Sequence, residues 1–126
     1  MAHEAGFDQV KLYFMIGLPG ERLEDMDKIG TLVRRVAEIG FRKPRAIRLS
    51  INPLIPKPHT PFQWASMIPA EEIKFRQAYL HSRLKRHKFN FRWQDPYTSV
   101  LEGIMARGDR RLSKVIEEAF RNGARF

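Results

Sequence analysis

The residues with the most chemical promise in this sequence gather at the end of one apolar run. Val10-Lys-Leu-Tyr-Phe-Met-Ile-Gly-Leu-Pro-Gly-Glu21 is interrupted by Lys11 and then breaks into Gly17-Leu-Pro-Gly-Glu21. Such a run suits a strand buried on both faces, as in a parallel sheet. In α/β architectures ligands sit at the carboxyl ends of these strands, so a site is expected at residues 17–21. Two readings are open. The segment is either a tight strand-to-helix turn, or a place where backbone approaches a ligand held by Glu21 or a helix N-terminal amide. It is not a phosphate loop, because the Gly-Lys-Ser/Thr ending is missing.

Other candidates are weaker. His3, His59, His81 and His87 lack metal-ligand spacing, since His81 and His87 are six apart rather than three or four. His59 stands in a proline-rich loop and is either a surface residue or part of a site. No serine–histidine pairing suggests a nucleophile, and no catalytic residue is assigned. The basic run Arg83-Leu-Lys-Arg-His-Lys88 precedes Phe89, Phe91 and Trp93. This is either an RNA-binding surface, with bases stacking on aromatics beside cations, or a basic last helical turn followed by core-facing rings. The absence of cysteine excludes disulfides, thiolate zinc sites, cysteine nucleophiles and cysteine-ligated clusters within these residues.

These residues need elements to position them. A strand is expected over 10–16 and a helix over 22–39, where Leu23, Met26, Ile29, Val33, Val36 and Ile39 recur at helical spacing. Glu21, Glu24 and Asp25 suit its first turn, and Gly40 its C-cap. After Pro44, residues 46–51 alternate as a second strand facing Ile47, Leu49 and Ile51 inward. Two strands joined by a helix form a βαβ unit with parallel strands. Pro53, Pro56, Pro58 and Pro61 then forbid helix or central strand through Trp64. Pro69 opens a helix over 69–87 that buries Ile73, Phe75 or the Arg76 stem, Leu80 and Leu84. A strand over 89–93 follows. Asp95-Pro96 starts a helix with Val100, Leu101, Ile104 and Met105 as its stripe, ended by Gly108. Asp109 caps a last helix carrying Leu112, Val115, Ile116, Ala119 and Phe120, ended by Gly123. The predicted fold class is α/β, in the order β-α-β-loop-α-β-α-α. Gly6 suits a helix C-cap whose helix is missing, so the expectation is that the chain begins within a longer protein.

A chain of 126 residues, 43% hydrophobic and 29% charged, supports one small domain. No apolar run approaches the roughly 20 residues of a membrane span, and the start lacks the basic and apolar regions of a signal peptide. A soluble, cytoplasmic domain without membrane contact is expected. The net charge of +9 points either to a polyanion, with nucleic acid foremost, or to a solvated or acid-docking face.

Leu12-Tyr-Phe-Met-Ile-Gly-Leu-Pro-Gly-Glu21 and the acidic amphipathic pattern after it resemble the strand-five segment of radical S-adenosylmethionine enzymes. Asn52-Pro-Leu-Ile-Pro-Lys-Pro-His-Thr-Pro-Phe-Gln-Trp64 is similar to the loop after their sixth barrel strand. Ala106-Arg-Gly-Asp-Arg-Arg-Leu112 and Gly123-Ala-Arg-Phe126 narrow the resemblance to an uncharacterised branch related to methylthiotransferases, often carrying a cobalamin-binding-like region. The resemblance covers nearly the whole chain but only the C-terminal part of such an enzyme. It implies part of a (β/α) barrel, with residues 10–64 in the barrel and 65–126 as a C-terminal extension. It also implies a 4Fe–4S cluster that cleaves S-adenosylmethionine to a deoxyadenosyl radical in the full-length parent.

By the same resemblance Met15 contacts adenine, Gly17 matches the motif's second glycine, Glu21 its acidic end, and Gly20 allows close approach. Tyr13 stands where the motif has its first glycine. Pro56, His59, Phe62 and Trp64 fall on the substrate-side loop. The Cys-x-x-x-Cys-x-x-Cys loop is absent, so neither cofactor nor metal is expected on this chain alone. Its expected partner is the N-terminal remainder of the barrel. The alternative is a stand-alone basic module that binds RNA or docks on protein.

Overall fold

The chain folds in the order that periodicity and turn chemistry dictate. The computed structural model describes residues 4–40, 46–85 and 89–124. They form β1 (Val10–Ile16), α1 (Leu23–Ile39), β2 (Ile47–Pro53), α2 (Ala70–Leu84), β3 (Asn90–Trp93), α3 (Pro96–Arg107) and α4 (Leu112–Arg121). The strands make one sheet in the order β1-β2-β3, and both pairings are parallel. The fold is therefore α/β, as expected, with three strands and four helices. His3, Pro44, His87 with the end of the basic run, and the last two residues of the terminal match lie outside the described residues.

The core is a layer between one face of the sheet and two helices. Ile16 of β1 and Ile47, Leu49 and Ile51 of β2 meet Met26 and Val33 of α1 and Leu80 and Leu84 of α2. Gly30 is buried on the α1 face, where a Cβ would make ordinary contact with Leu84 Cδ2 at 3.9 Å. Between the same helices Tyr79 donates from its hydroxyl to Asp27 at 3.1 Å, and Arg83 donates to Tyr79 at 2.8 Å. β3 adds Phe91 and Trp93, stacked at 5.0 Å between ring centroids, with the His81 ring edge-on to both. His81 is thus an aromatic packing residue.

Several expectations are corrected. β1 is not buried on both faces. Val10, Leu12 and Phe14 pack toward the core, whereas Lys11, Tyr13 and Met15 are exposed, because α1 and α2 cover one side of the sheet only. Gly40 follows α1 with φ 173°, which is extended backbone and not a left-handed cap. Pro69 is the N-cap of α2 and not its first helical residue. Between Phe75 and Arg76, the helix turns Arg76 inward and leaves Phe75 exposed. The stripe on α3 is exposed too: Leu101, Ile104 and Met105 face out, while Pro96, Ser99 and Gly103 are the buried positions. Gly103 is buried because Met67 Sδ occupies the place of a Cβ, at 2.7 Å. α4 buries no residue, so Val115, Ile116 and Phe120 are exposed. Asp109, expected as its cap, instead stands two residues before the N-cap, Arg111, which has no side-chain cap hydrogen bond; Asp109 Oδ1 accepts from the Arg111 amide and its carbonyl from the Leu112 amide.

The facing of α2 has a direct test. Leu80 is fully buried, so Leu80→Ala should cost about 2–5 kcal/mol through lost burial and a residual cavity. Phe75→Ala removes an exposed ring and should cost about 0.5 kcal/mol or less. Urea unfolding of both variants, at unchanged slope, measures the difference.

Candidate functional site

At the carboxyl end of β1 the sequence Leu18-Pro19-Gly20-Glu21 closes a type II turn. The Glu21 amide donates to the Leu18 carbonyl at 3.0 Å, and Gly20 supplies the positive φ, 79°, that the third position requires. Gly17 also has φ 79°. Its amide donates to Glu21 Oε2 at 2.5 Å, and Arg76 Nη1 lies 2.5 Å from the same oxygen. Arg76 Nε reaches Glu72 Oε1 at 2.7 Å. The Glu21 and Arg76 side chains are 6% and 12% exposed, so this is a buried clamp between the turn and α2. Sequence reasoning selected Glu21 but missed Arg76, which lies on another element; its inward position on an otherwise apolar helix face was the only available signal.

The two glycines differ in what surrounds them. A Cβ on Gly17 would strike Ile68 Cδ1 at 2.6 Å, so the close neighbour there is the chain's own Ile68. Above Gly20 nothing lies within 4 Å. Of the two, only Gly20 leaves room for a ligand.

The uncovered face of the sheet runs up to this turn. Period-two alternation places Lys11, Tyr13 and Met15 of β1 on it, then Arg48, Ser50 and Asn52 of β2, and Asn90 and Arg92 of β3. Register sorts them into layers. Lys11, Arg48 and Asn90 are partners across the three strands, as are Tyr13, Ser50 and Arg92, while Met15 pairs with Asn52 beside the turn. The N-terminal layers are cationic and the C-terminal layer is neutral, with an exposed thioether. Phe89, Phe91 and Trp93, the rings of the candidate RNA-binding surface, pack against the core on the opposite face.

The proline-rich loop is ordered by its own hydrogen bonds. Thr60 Oγ1 donates to the Lys57 carbonyl at 2.7 Å, and the Gln63 amide to the Thr60 carbonyl at 3.0 Å. His59 adopts φ 60°, a conformation that histidine visits more readily than most residues, and donates from its amide to Gln63 Oε1. Two ties fix the loop to α3: Lys57 Nζ donates to Glu102 Oε1 at 2.5 Å, and Arg107 Nη1 to the Ala65 carbonyl at 3.0 Å. Of the four loop residues expected to face a substrate, Pro56 is fully buried and anchors the loop instead. His59, Phe62 and Trp64 are exposed, Trp64 at 86%. Beside the loop an apolar cleft of about 320 Å³ is lined by Met67, Ile68, Val100, Gly103 and Ile104.

Among the described residues no group of three or more His, Cys, Asp or Glu could hold a metal ion, and no helix is long and apolar enough to cross a membrane. No family model matches the sequence. The chain is similar to uncharacterized protein MJ0966 of Methanocaldococcus jannaschii, 32% identical over 117 residues. That alignment takes in 93% of this chain but 25% of the relative, so the chain spans about a quarter of the archaeal protein's length. No solved structure matches.

The clamp and the loop tie each generate an expected result. Arg76→Met leaves the Glu21 carboxylate buried without its cation and should destabilise by about 3–5 kcal/mol. Glu21→Gln keeps an acceptor for the Gly17 amide while removing the buried negative charge, and should cost clearly less. Denaturant unfolding separates the two, and equal costs would refute a charge-dependent clamp.

Hydrogen bonds from Lys57 and then Gln94 hold the Glu102 carboxyl below its ordinary value of 4.5. A carboxyl with a depressed folded pKa stabilises above its unfolded value and loses that contribution as pH falls through the folded one. Melting temperatures taken from about pH 6 to about pH 3 should therefore fall less steeply for Lys57→Met than for the wild type below pH 4.5.

Proposed function

We infer that the chain is the C-terminal part of a radical S-adenosylmethionine enzyme's barrel, contributing one side of the adenine pocket and the substrate-side loop. The observation that carries this reading is Met15. It is an apolar side chain, 47% exposed, at the carboxyl end of a parallel strand on the sheet's uncovered face. It lies beside Asn52 and directly before the Gly17–Glu21 turn. A barrel wall has this build, with parallel strands, helices on the outside and the site above the strand ends. The length of the archaeal relative supports it as well, since a segment like this one occurs there within a much longer protein.

The two groups that the resemblance implies fit this chain differently. With no cysteine in the sequence and no alternative ligand cluster among the described residues, these residues do not fit an iron–sulfur cluster. No step through it is assigned to them. The adenine end of S-adenosylmethionine does fit. Met15 offers a polarizable thioether of the kind that packs on aromatic rings, and Asn52 offers both a donor and an acceptor. S-adenosylmethionine, when bound with a cluster, supplies the radical chemistry of such enzymes. In this reading the chain's own part is to orient the ligand. Glu21 acts through the turn it holds, because its carboxylate is engaged by the Gly17 amide and Arg76. Pro56 anchors the loop, and His59, Phe62 and Trp64 form its substrate-facing rim.

The reading frame upstream of Met1 provides the first test: an in-frame Cys-x-x-x-Cys-x-x-Cys is expected, and its absence would overturn the reading. In the longer protein, calorimetric titration should show Met15→Asp weakening S-adenosylmethionine binding about tenfold or more, the loss expected when a charge replaces an apolar ring contact. Equal affinity of the two proteins removes Met15 from the pocket.

A further inference from the structure

The opposite end of the uncovered face holds a feature that the adenine reading does not use. Lys11, Arg48, Asn90 and Arg92 line a groove of about 260 Å³ whose floor includes Leu49. Lys11 and Arg48 are register partners on neighbouring strands, and Arg48 and Asn90 are partners in turn. Arg92 follows on the same face, two residues after Asn90. Adjacent strands lie only about 4.8 Å apart, and like charges placed side by side across a sheet repel.

Among the described residues no carboxylate pairs with these cations. None of the side chains alternating onto this face is acidic, and among the described residues neither Arg48 nor Arg92 makes an ion pair. Lys11 Nζ lies over the Tyr13 ring, 4.4 Å from its centroid, which fixes its position without neutralising it. Elsewhere on the surface several cations have carboxylates, Lys28 with Asp25, Lys57 with Glu102, Lys74 with Glu71 and Arg121 with Glu117, while others such as Arg35 and Lys114 have none among the described residues. What sets the groove apart is that strand register holds its cations side by side. Ser50, a short residue on the central strand between Tyr13 and Arg92, keeps the middle of the face low.

We propose that this groove is an anion site for a compact phosphate-bearing ligand, a phosphate or diphosphate group clasped by Arg48 and Arg92 with Lys11 and Asn90 beside them. Two guanidinium forks present paired N–H donors that match phosphate oxygens, an ammonium adds a point charge and an amide adds an uncharged donor. The volume is below that of a usual drug-sized pocket and suits a small group. An RNA strand fits less well, because Phe89, Phe91 and Trp93 are turned into the core and Tyr13, the exposed ring beside the groove, already carries Lys11 over its face. The site goes beyond the radical S-adenosylmethionine reading and does not depend on it.

The test uses the whole 126-residue chain and two probes, inorganic phosphate and inorganic pyrophosphate. Thermal melting and phosphorus NMR titration are run against sodium chloride at matched ionic strength. Saturable stabilisation beyond that of chloride is expected, with binding weakened about tenfold or more in Arg48→Gln and Arg92→Gln, the loss expected for a charge-assisted contact. Lys114→Gln, on exposed α4, should leave binding unchanged. Without ligand, Arg48→Gln should melt no lower than the wild type, since it removes a repulsive neighbour. If an arginine variant does not fold, Lys11→Met provides the same comparison. Stabilisation no greater than that of chloride, or equal binding by wild type and arginine variants, overturns the proposal. So does salt-sensitive binding of a short single-stranded RNA that phosphate and pyrophosphate cannot match.

Discussion

A parallel sheet ordinarily requires cover on both faces, and here α1 and α2 provide it on one. Most of what distinguishes this molecule follows from that constraint. The covered face condenses into a core of aliphatic side chains from β1, β2, α1 and α2, onto which the rings of β3 pack. Most alternate side chains on the uncovered face are exposed, with Ser50 buried and Asn52 half-buried, and they are not the assortment of a solvated surface. They grade from cations at the amino ends of the strands to Met15 and Asn52 at the carboxyl ends. A surface meant only for water has no reason to gather cations without carboxylates at one end and an exposed thioether at the other.

Rigidity at the carboxyl end comes from a second, local constraint. The chain must reverse from β1 into α1 within a few residues, and the type II turn at Leu18–Glu21 does so using Pro19 and Gly20. A turn alone would be free to pivot on the strand end. Glu21 prevents this by accepting from the Gly17 amide behind it and pairing with Arg76 on α2. Since α2 also packs on α1 and the sheet, the turn, the helix after it and the core share one support. Ile68 seals the same corner by filling the space over Gly17. The uncovered face can therefore be open without being loose where it ends.

Much of this was legible in the sequence wherever the cause was local. Apolar spacing located α1, alternation located β2, Asp95-Pro96 located the start of α3, and Leu18-Pro-Gly-Glu21 spelled its turn type. What failed depended on partners distant in sequence. The run in β1 looked buried on both sides because Tyr13 and Met15 are apolar by type, and composition cannot say how many layers cover a sheet. Leu101, Ile104 and Met105 have core spacing, yet α3 meets its neighbours through Ser99 and Gly103, small residues that no hydrophobic pattern highlights. Pro56 lies in the loop as expected, but it is buried there. Arg76 was legible only as one of two choices for an inward position, and the carboxylate that decides it lies 55 residues away. The basic groove was invisible for the same reason: Lys11, Arg48 and Arg92 become neighbours only through strand register.

Register also keeps the two proposed sites on the open face apart. Lys11 and Met15 are four residues apart on one strand, a separation of about 13 Å at the rise of a β-strand. That exceeds the Debye length of about 8 Å at physiological ionic strength, so the cations exert little screened attraction on an uncharged ring beside Met15. On β1 Tyr13 stands between them with its ring engaged by Lys11, while Arg92 shares the Tyr13 layer two strands away. Adenine is uncharged at neutral pH and gains nothing from arginine forks, whereas a phosphate gains little from a thioether. On the two proposals, the chemistry of each end therefore suits a different group. One ligand could occupy both only by spanning the face past Tyr13, with its anionic end at Arg48 and Arg92 and its apolar end at Met15.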